Sequence, residues 1–126
     1  MTNLHKGRTG LNRLVHAFTY SIEGLRAAYV GESAFRQEFW VSIVLLPASF
    51  WVGRGWTEIA LLAGSVMLVL IVELLNSSIE AVVDRVSLEL HPLSKRAKDI
   101  ASAAVLLSVS SCTVLWTCAL WHRWGN

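Results

Sequence analysis

One stretch of the sequence carries the side chains best suited to chemistry. From Val72 to Arg85 (VELLNSSIEAVVDR), acidic, amide and hydroxyl residues recur three or four positions apart. At about 100° per residue, these side chains share one helix face. They are Glu73, Asn76, Ser77, Glu80 and Asp84. Carboxylates on such a face could accept a proton or hold a cation, although a carboxyl that only hydrogen-bonds a neighbouring helix shows the same pattern. Asp84 is interpreted more simply, as pairing with Arg85 or capping the helix end.

Two further clusters could serve the same site. Glu32 begins the segment ESAFRQE, at the junction between two predicted helices. Glu32 and Glu80 could together hold Mg²⁺, which needs only one or two carboxylates when phosphate oxygens complete its shell. Lys95 to Asp99 (KRAKD) open the last helix, either as a positive membrane anchor or with Lys98 neutralising phosphate charge. The chain has neither a GxxxxGK[ST] loop nor the glycine-rich and catalytic loops of protein kinases, so a nucleotide would bind by another scheme.

The composition indicates that lipid surrounds much of the chain. Its 126 residues are 54% hydrophobic and 16% charged, with a mean hydropathy of +0.50. Soluble domains are nearer one quarter charged. A net charge of +2 leaves no basic surface of the size that nucleic acids require. We therefore expect a single all-α integral membrane domain over residues 1–126, without a nucleic-acid partner.

The apolar pattern predicts a surface helix followed by three membrane helices. The surface helix is expected over about 9–30, because apolar residues recur there at helical spacing, and its stripe could pack on the bundle or admit lipid. The membrane helices are expected over about 35–52, 56–88 and 95–122, since a spanning segment must satisfy its own backbone hydrogen bonds. Glu73 would lie about 25 Å along the second of these, just inside a hydrocarbon layer of roughly 30 Å.

Basic residues and tryptophans predict the orientation. Nine basic residues precede the first span or lie between the second and third: Lys6, Arg8, Arg13, Arg26, Arg36, Arg85, Lys95, Arg96 and Lys98. Only Arg54 and Arg123 remain for the other side, so the N-terminus is expected in the cytoplasm and the C-terminus in the periplasm. The tryptophans near both of these arginines are expected to meet at one membrane boundary: Trp51, Trp56, Trp116, Trp121 and Trp124.

Three segments together resemble the prokaryotic diacylglycerol kinase family. They are residues 32–38 (ESAFRQE), 72–85 (VELLNSSIEAVVDR) and 96–104 (RAKDIASAA), and the resemblance extends over about 13–122. Members are small enzymes of the bacterial inner membrane that act as homotrimers, with active sites between protomers at the cytoplasmic interface. The resemblance implies that this chain uses MgATP to phosphorylate diacylglycerol, giving phosphatidic acid.

The resemblance also implies roles for individual residues. Glu73 would be the general base, Glu32 and Glu80 the Mg²⁺ ligands, and Asn76 a supporting residue. The ATP-binding residues would be Arg13, Tyr20, Glu32, Glu80, Glu89, His91, Lys98 and Asp99. The residues contacting the lipid would be Arg13, Ser21, Arg26, Gln37, Glu38, Glu73 and Ser102.

Alternatives remain open at this point. Related enzymes in other bacteria phosphorylate undecaprenol, and the same carboxylates would serve that long isoprenoid alcohol. A small membrane transporter could line a cation path with Glu73, Asn76 and Glu80, but it needs neither Glu32 nor Lys98. A purely structural membrane protein leaves the polar helix face unexplained.

Overall fold

The computed structural model describes residues 10–125, and within this range the only regular secondary structure is four helices. They are α1 (Gly10–Gly31), α2 (Ser33–Val52), α3 (Trp56–Val86) and α4 (Pro92–Trp124). The all-helical prediction is therefore confirmed over the described range. Local chemistry explains the breaks: glycines at 53 and 55 interrupt the chain between α2 and α3, and Pro92 opens α4, where its missing N–H costs nothing. Lys6 and Arg8, used above to predict orientation, lie outside the described residues.

Helix α3 is the centre of the bundle. It packs most extensively on α4 and next on α2, while α1 makes few contacts with either α2 or α3. The buried apolar cluster joins these three central helices and consists of Val52, Leu62, Val66, Trp116 and Ala119. Four serines are buried among the helices, and each satisfies its hydroxyl on the carbonyl three residues earlier. Small side chains of this kind let helices approach closely.

Two helices, α3 and α4, are long and apolar enough to cross a membrane. Helix α2 does not meet the same criterion, so the third predicted crossing remains a prediction. Large apolar side chains on all three helices face outward, for example Val44, Leu68 and Leu107. An outward-facing apolar surface is what a bilayer, rather than water, accommodates.

Helix α1 keeps most of its apolar stripe away from this chain's own core. Leu11 and Phe18 are 76% and 68% exposed, whereas Ala28 in its last turns is buried. Only the C-terminal end of α1 therefore packs on the bundle, through the junction with α2. The stripe is left available to lipid or to another surface.

The aromatic residues meet at one end of the bundle, as expected, with one exception. The rings of Trp51 and Trp124 are 5.0 Å apart, and Phe50 and Trp56 form a second edge-on pair. Trp116, however, was wrongly assigned to this boundary. It is 9% exposed and belongs to the buried cluster between α3 and α4, because its position on α4 faces α3.

Candidate active site

Two acidic side chains, the buried Glu73 and the half-buried Glu38, lie close together between α2 and α3. Glu73 is only 5% exposed, which agrees with the expectation that an ionisable group at its depth faces the interior. The Glu38 carboxyl of α2 lies within hydrogen-bonding reach of it. Two carboxyl groups this close to each other repel when both are ionised. The arrangement is suited to accepting or releasing a proton in an apolar setting.

An apolar groove begins at this pair. It has a volume of about 410 Å³ and runs between α2, α3 and α4 from Glu38 past Val66 to Trp116 and Leu120. Two polar atoms of residues that line the groove are buried without a hydrogen-bond partner. They are Glu38 Oε2 and Trp116 Nε1. The groove could therefore hold an apolar chain whose polar end meets the carboxyl pair.

The second half of the polar face lies nearer the end of α3. Asn76 Nδ2 donates to Glu80 Oε1 at 3.3 Å, and Asn76 Oδ1 is buried without a partner. The amide thus orients one carboxylate oxygen of Glu80 and leaves an acceptor unused. Both residues are half-buried, so a small polar ligand could still reach them.

Glu32 is held at the only non-helical residue between α1 and α2. Its backbone is extended and its side chain makes no capping hydrogen bond. Arg36 fixes the junction, since its Nη1 donates to the carbonyls of Tyr29 and Val30, both at 2.9 Å. Glu32 lines a cavity of about 620 Å³ with Ser21 of α1 and Ser77 of α3. Of the polar face of α3, only Ser77 lines this cavity with Glu32, and Glu80 does not.

The donor set fits a hard divalent cation only in part. Within residues 10–125, no three histidine, cysteine or acidic side chains converge as a complete metal site. Glu32 and Glu80 are hard oxygen donors, which suits Mg²⁺ when phosphate oxygens supply the remaining positions. Glu32 and Glu80 do not line a common cavity, so a shared Mg²⁺ site remains a prediction.

A polar cavity of about 750 Å³ lies where α3 turns into α4. Its lining includes Glu89, His91, Lys98 and Asp99 from the predicted nucleotide-binding set. His91 Nδ1 accepts the N–H of Leu93 and so caps α4, which leaves Nε2 for another partner. The volume lies within the usual range for small-molecule sites, roughly 300–1,000 Å³.

The prediction for Asp84 was wrong in its partner. Asp84 Oδ1 accepts from Lys98 Nζ at 2.7 Å, across the turn, and does not pair with Arg85. Asp99 in turn accepts from Lys95 at 2.5 Å. Asp84 shares the helix face of Glu73 and Glu80, and this shared face was the available signal for including it. Through its hydrogen bond, Asp84 positions the Lys98 ammonium on the wall of the polar cavity.

Other predicted residues are not brought into these cavities. They are exposed and line none of the three: Arg13, Tyr20, Arg26, Gln37 and Ser102. Several lie on α1, whose apolar stripe also faces away from the chain. A role for them in ligand binding therefore remains a prediction.

The fold and site define an all-helical membrane protein with a buried carboxyl group, Glu73, beside Glu38, and a polar cavity at one end. A family model described as prokaryotic diacylglycerol kinase matches residues 19–120. The chain belongs to the prokaryotic diacylglycerol kinase family, an enzyme family, and this confirms the resemblance noted in its three segments.

Individual relatives agree with this placement. A diacylglycerol kinase of Pseudomonas aeruginosa is 51% identical over 115 residues, covering 91% of this chain and 94% of the relative. That of Escherichia coli (strain K12) is 47% identical over 117 residues, covering 93% and 96%. That of Haemophilus influenzae is 44% identical over 108 residues, covering 86% and 92%. The similarity thus includes both the carboxyl pair and the polar cavity.

Proposed function

We propose that this protein transfers the γ-phosphoryl group of ATP to the free hydroxyl of diacylglycerol, giving phosphatidic acid. The relatives named above are all called diacylglycerol kinases, which favours this substrate over undecaprenol and a kinase over a transporter. The observation that carries the proposal is the buried Glu73 beside Glu38, which lines the end of an apolar groove. A substrate with a hydroxyl at the end of acyl chains matches that combination.

Glu73 is the proposed general base. With the acyl chains along the groove, the glycerol hydroxyl would lie against the carboxyl pair. Glu73 takes the hydroxyl proton as the oxygen forms its bond to the γ-phosphorus, and the bond from that phosphorus to the bridging oxygen of ADP breaks. Glu38 touches Glu73 and would hold the base in place and contact the lipid headgroup. Burial keeps water from competing for the phosphoryl group.

The phosphate side of the reaction would be served by Glu80, farther along α3, together with Glu32 at the α1–α2 junction and Lys98 of α4. Glu32 and Glu80 would hold Mg²⁺, which supplies positive charge to the phosphate oxygens when bound. Asn76 orients the Glu80 carboxylate through its hydrogen bond. Lys98, placed by Asp84 on the wall of the polar cavity, would neutralise further phosphate charge. Lipid and nucleotide would thus approach the polar helix face from opposite directions.

We further propose three membrane crossings and a homotrimer in the bacterial inner membrane. Helix α2 has 20 residues, about 30 Å of helix, which matches the hydrocarbon thickness. The polar cavity would face the cytoplasm, where ATP is available. The exposed α1 residues predicted to bind ligands would then act at the site of a neighbouring protomer, as the family resemblance implies.

Phosphoryl transfer from labelled ATP tests the proposed function directly. Purified protein in mixed micelles with Mg²⁺ is given diacylglycerol and undecaprenol in parallel, and labelled lipids are separated. We expect phosphatidic acid as the main product. A dominant undecaprenyl phosphate would reassign the substrate, and no labelled lipid from a folded oligomer would reject the kinase proposal.

Replacing Lys98 by Met is expected to raise the KM for ATP by about tenfold or more, because a charge-assisted hydrogen bond to phosphate is lost. Asp84→Asn should have a smaller effect of a few-fold, since Lys98 keeps its charge and loses only its orientation. Initial rates at varied ATP and saturating diacylglycerol measure both.

Lys95→Met is the matched control for this lysine. Lys95 lies on the same turn and is also ion-paired, but with Asp99 at an exposed position. Its removal should change the KM for ATP less than the removal of Lys98 does. Equal effects of both replacements would mean that the region acts through general positive charge and not through Lys98.

A further inference from the structure

The end of the bundle opposite Lys98 carries two arginines without an ion-pair partner among residues 10–125. Arg54 lies between α2 and α3, and Arg123 in the last turn of α4. The ion pairs found in the described part of the chain both lie at the other end. Glu58, the acidic residue in the first turn of α3, lines a separate cavity with His122. Two guanidinium groups are thus placed together without a matching carboxylate.

The backbone holds Arg54 in a defined position. Gly53 approaches the start of α3 so closely that a Cβ there would lie 2.7 Å from Ile59 Cγ1 and 2.9 Å from the Ile59 nitrogen. Gly55 has a φ of +111°, which other residues rarely adopt. Arg54 Nη2 then donates to the carbonyl oxygen of Arg123 at 3.1 Å. The turn and the end of α4 therefore form one unit that presents both arginines.

The Nε–H group of Arg123 has no hydrogen-bond acceptor among residues 10–125. Its Nε is buried without a hydrogen-bond partner, and its Cζ lies 5.6 Å from the centroid of the Trp124 ring. A buried donor left unpaired is costly, more so on a charged group. A guanidinium has five N–H donors in a planar fork that fits the oxygens of a carboxylate or phosphate. An anion with several acceptor oxygens is the kind of partner that matches the guanidinium fork.

The surroundings indicate how that anion arrives. Trp51, Trp56 and Trp124 are 68%, 78% and 51% exposed around the two arginines. Exposed tryptophans on an apolar bundle mark the boundary between hydrocarbon and water. Phospholipid phosphates lie at this level, attached to acyl chains that would contact the outward apolar faces of the helices. We propose that Arg54 and Arg123 form a binding site for the phosphate group of a membrane phospholipid, separate from the kinase site.

Native mass spectrometry with phosphatidylglycerol tests this site without ATP or diacylglycerol. The purified protein in detergent is titrated with the lipid, and the affinity of the tightest bound lipid is measured. Arg54→Gln and Arg123→Gln are each expected to weaken it by about tenfold or more, the effect of losing a charge-assisted hydrogen bond. Arg85→Gln, an exposed arginine at the other end of α3, should leave it unchanged.

Two comparisons keep the test decisive. Millimolar inorganic phosphate should not displace the lipid, because free phosphate lacks the acyl chains; full displacement would overturn the lipid assignment in favour of a free-anion site. If Arg123→Gln does not fold, Arg123→Lys keeps the charge without the fork and is expected to show the same direction of change. Unchanged affinity in folded variants of both arginines would overturn the proposal.

Discussion

Glu73→Gln is expected to lower the rate of phosphatidic acid formation by on the order of 100-fold to 10,000-fold, the usual contribution of a positioned general base. The amide keeps the size of the side chain but cannot take the hydroxyl proton. Because Glu73 is buried against Glu38, the amide can still donate to that neighbour, so the bundle should remain folded. The measurement is kcat at saturating MgATP and diacylglycerol.

Glu58→Gln is the matched control for this substitution. Glu58 lies on the same helix, in its first turn, beside a different cavity. Its replacement should leave kcat unchanged. Glu38→Gln should lower kcat less than Glu73→Gln does, because Glu38 contacts the proposed base but does not itself take the hydroxyl proton. A folded Glu73→Gln protein with a near-normal rate would exclude Glu73 as the base.

Replacing Glu32 and Glu80 by Gln is expected to raise the Mg²⁺ concentration for half-maximal rate by on the order of tenfold or more for each residue, and their combination should remove most activity. Each change takes one anionic oxygen donor from the cation, and even indirect partners of metal ligands are worth 10- to 100-fold. Glu80→Gln retains an oxygen that accepts from Asn76, so the local hydrogen bond can persist. Rates are measured against Mg²⁺ at fixed ATP.

Glu23→Gln serves as the control for Glu32. Glu23 is an exposed acid on α1 that lines none of the described cavities. An Mg²⁺ dependence that shifts equally with Glu23→Gln would point to general surface charge. An unchanged dependence in Glu32→Gln and Glu80→Gln would remove both carboxylates from the metal site.

The order of groups along α3 gives the proposed reaction its direction. Glu73, Glu80 and Asp84 follow one another at intervals of about 10 Å and 6 Å along the axis. The apolar groove is lined by Glu38, the neighbour of Glu73, and the polar cavity includes Asp84. In the proposed reaction, a lipid hydroxyl and a nucleotide would therefore reach the same helix face while Glu73 stays shielded from bulk water.

Some features of the fold and of the candidate site were determined by the sequence alone. The polar face of α3 follows from a period of 3.6 residues. The last helix was also predicted, over about 95–122, but it begins three residues earlier, at Pro92, because proline is tolerated at a helix start. The high apolar content likewise required helices, since a segment in lipid must satisfy its own backbone. These features depend on neighbouring residues and are therefore readable locally. The same holds for the three segments that identify the family.

Only the tertiary structure decided which residues meet across helices. The Glu38–Glu73 pair, the Asp84–Lys98 pair and the contact between Arg54 and Arg123 each join different helices or connections. Trp116 is buried, although it is near the boundary tryptophans Trp121 and Trp124 in the sequence. Such contacts depend on the rotation and relative height of packed helices, which arise from the fit of many side chains at once. Spacing along the chain does not specify that fit.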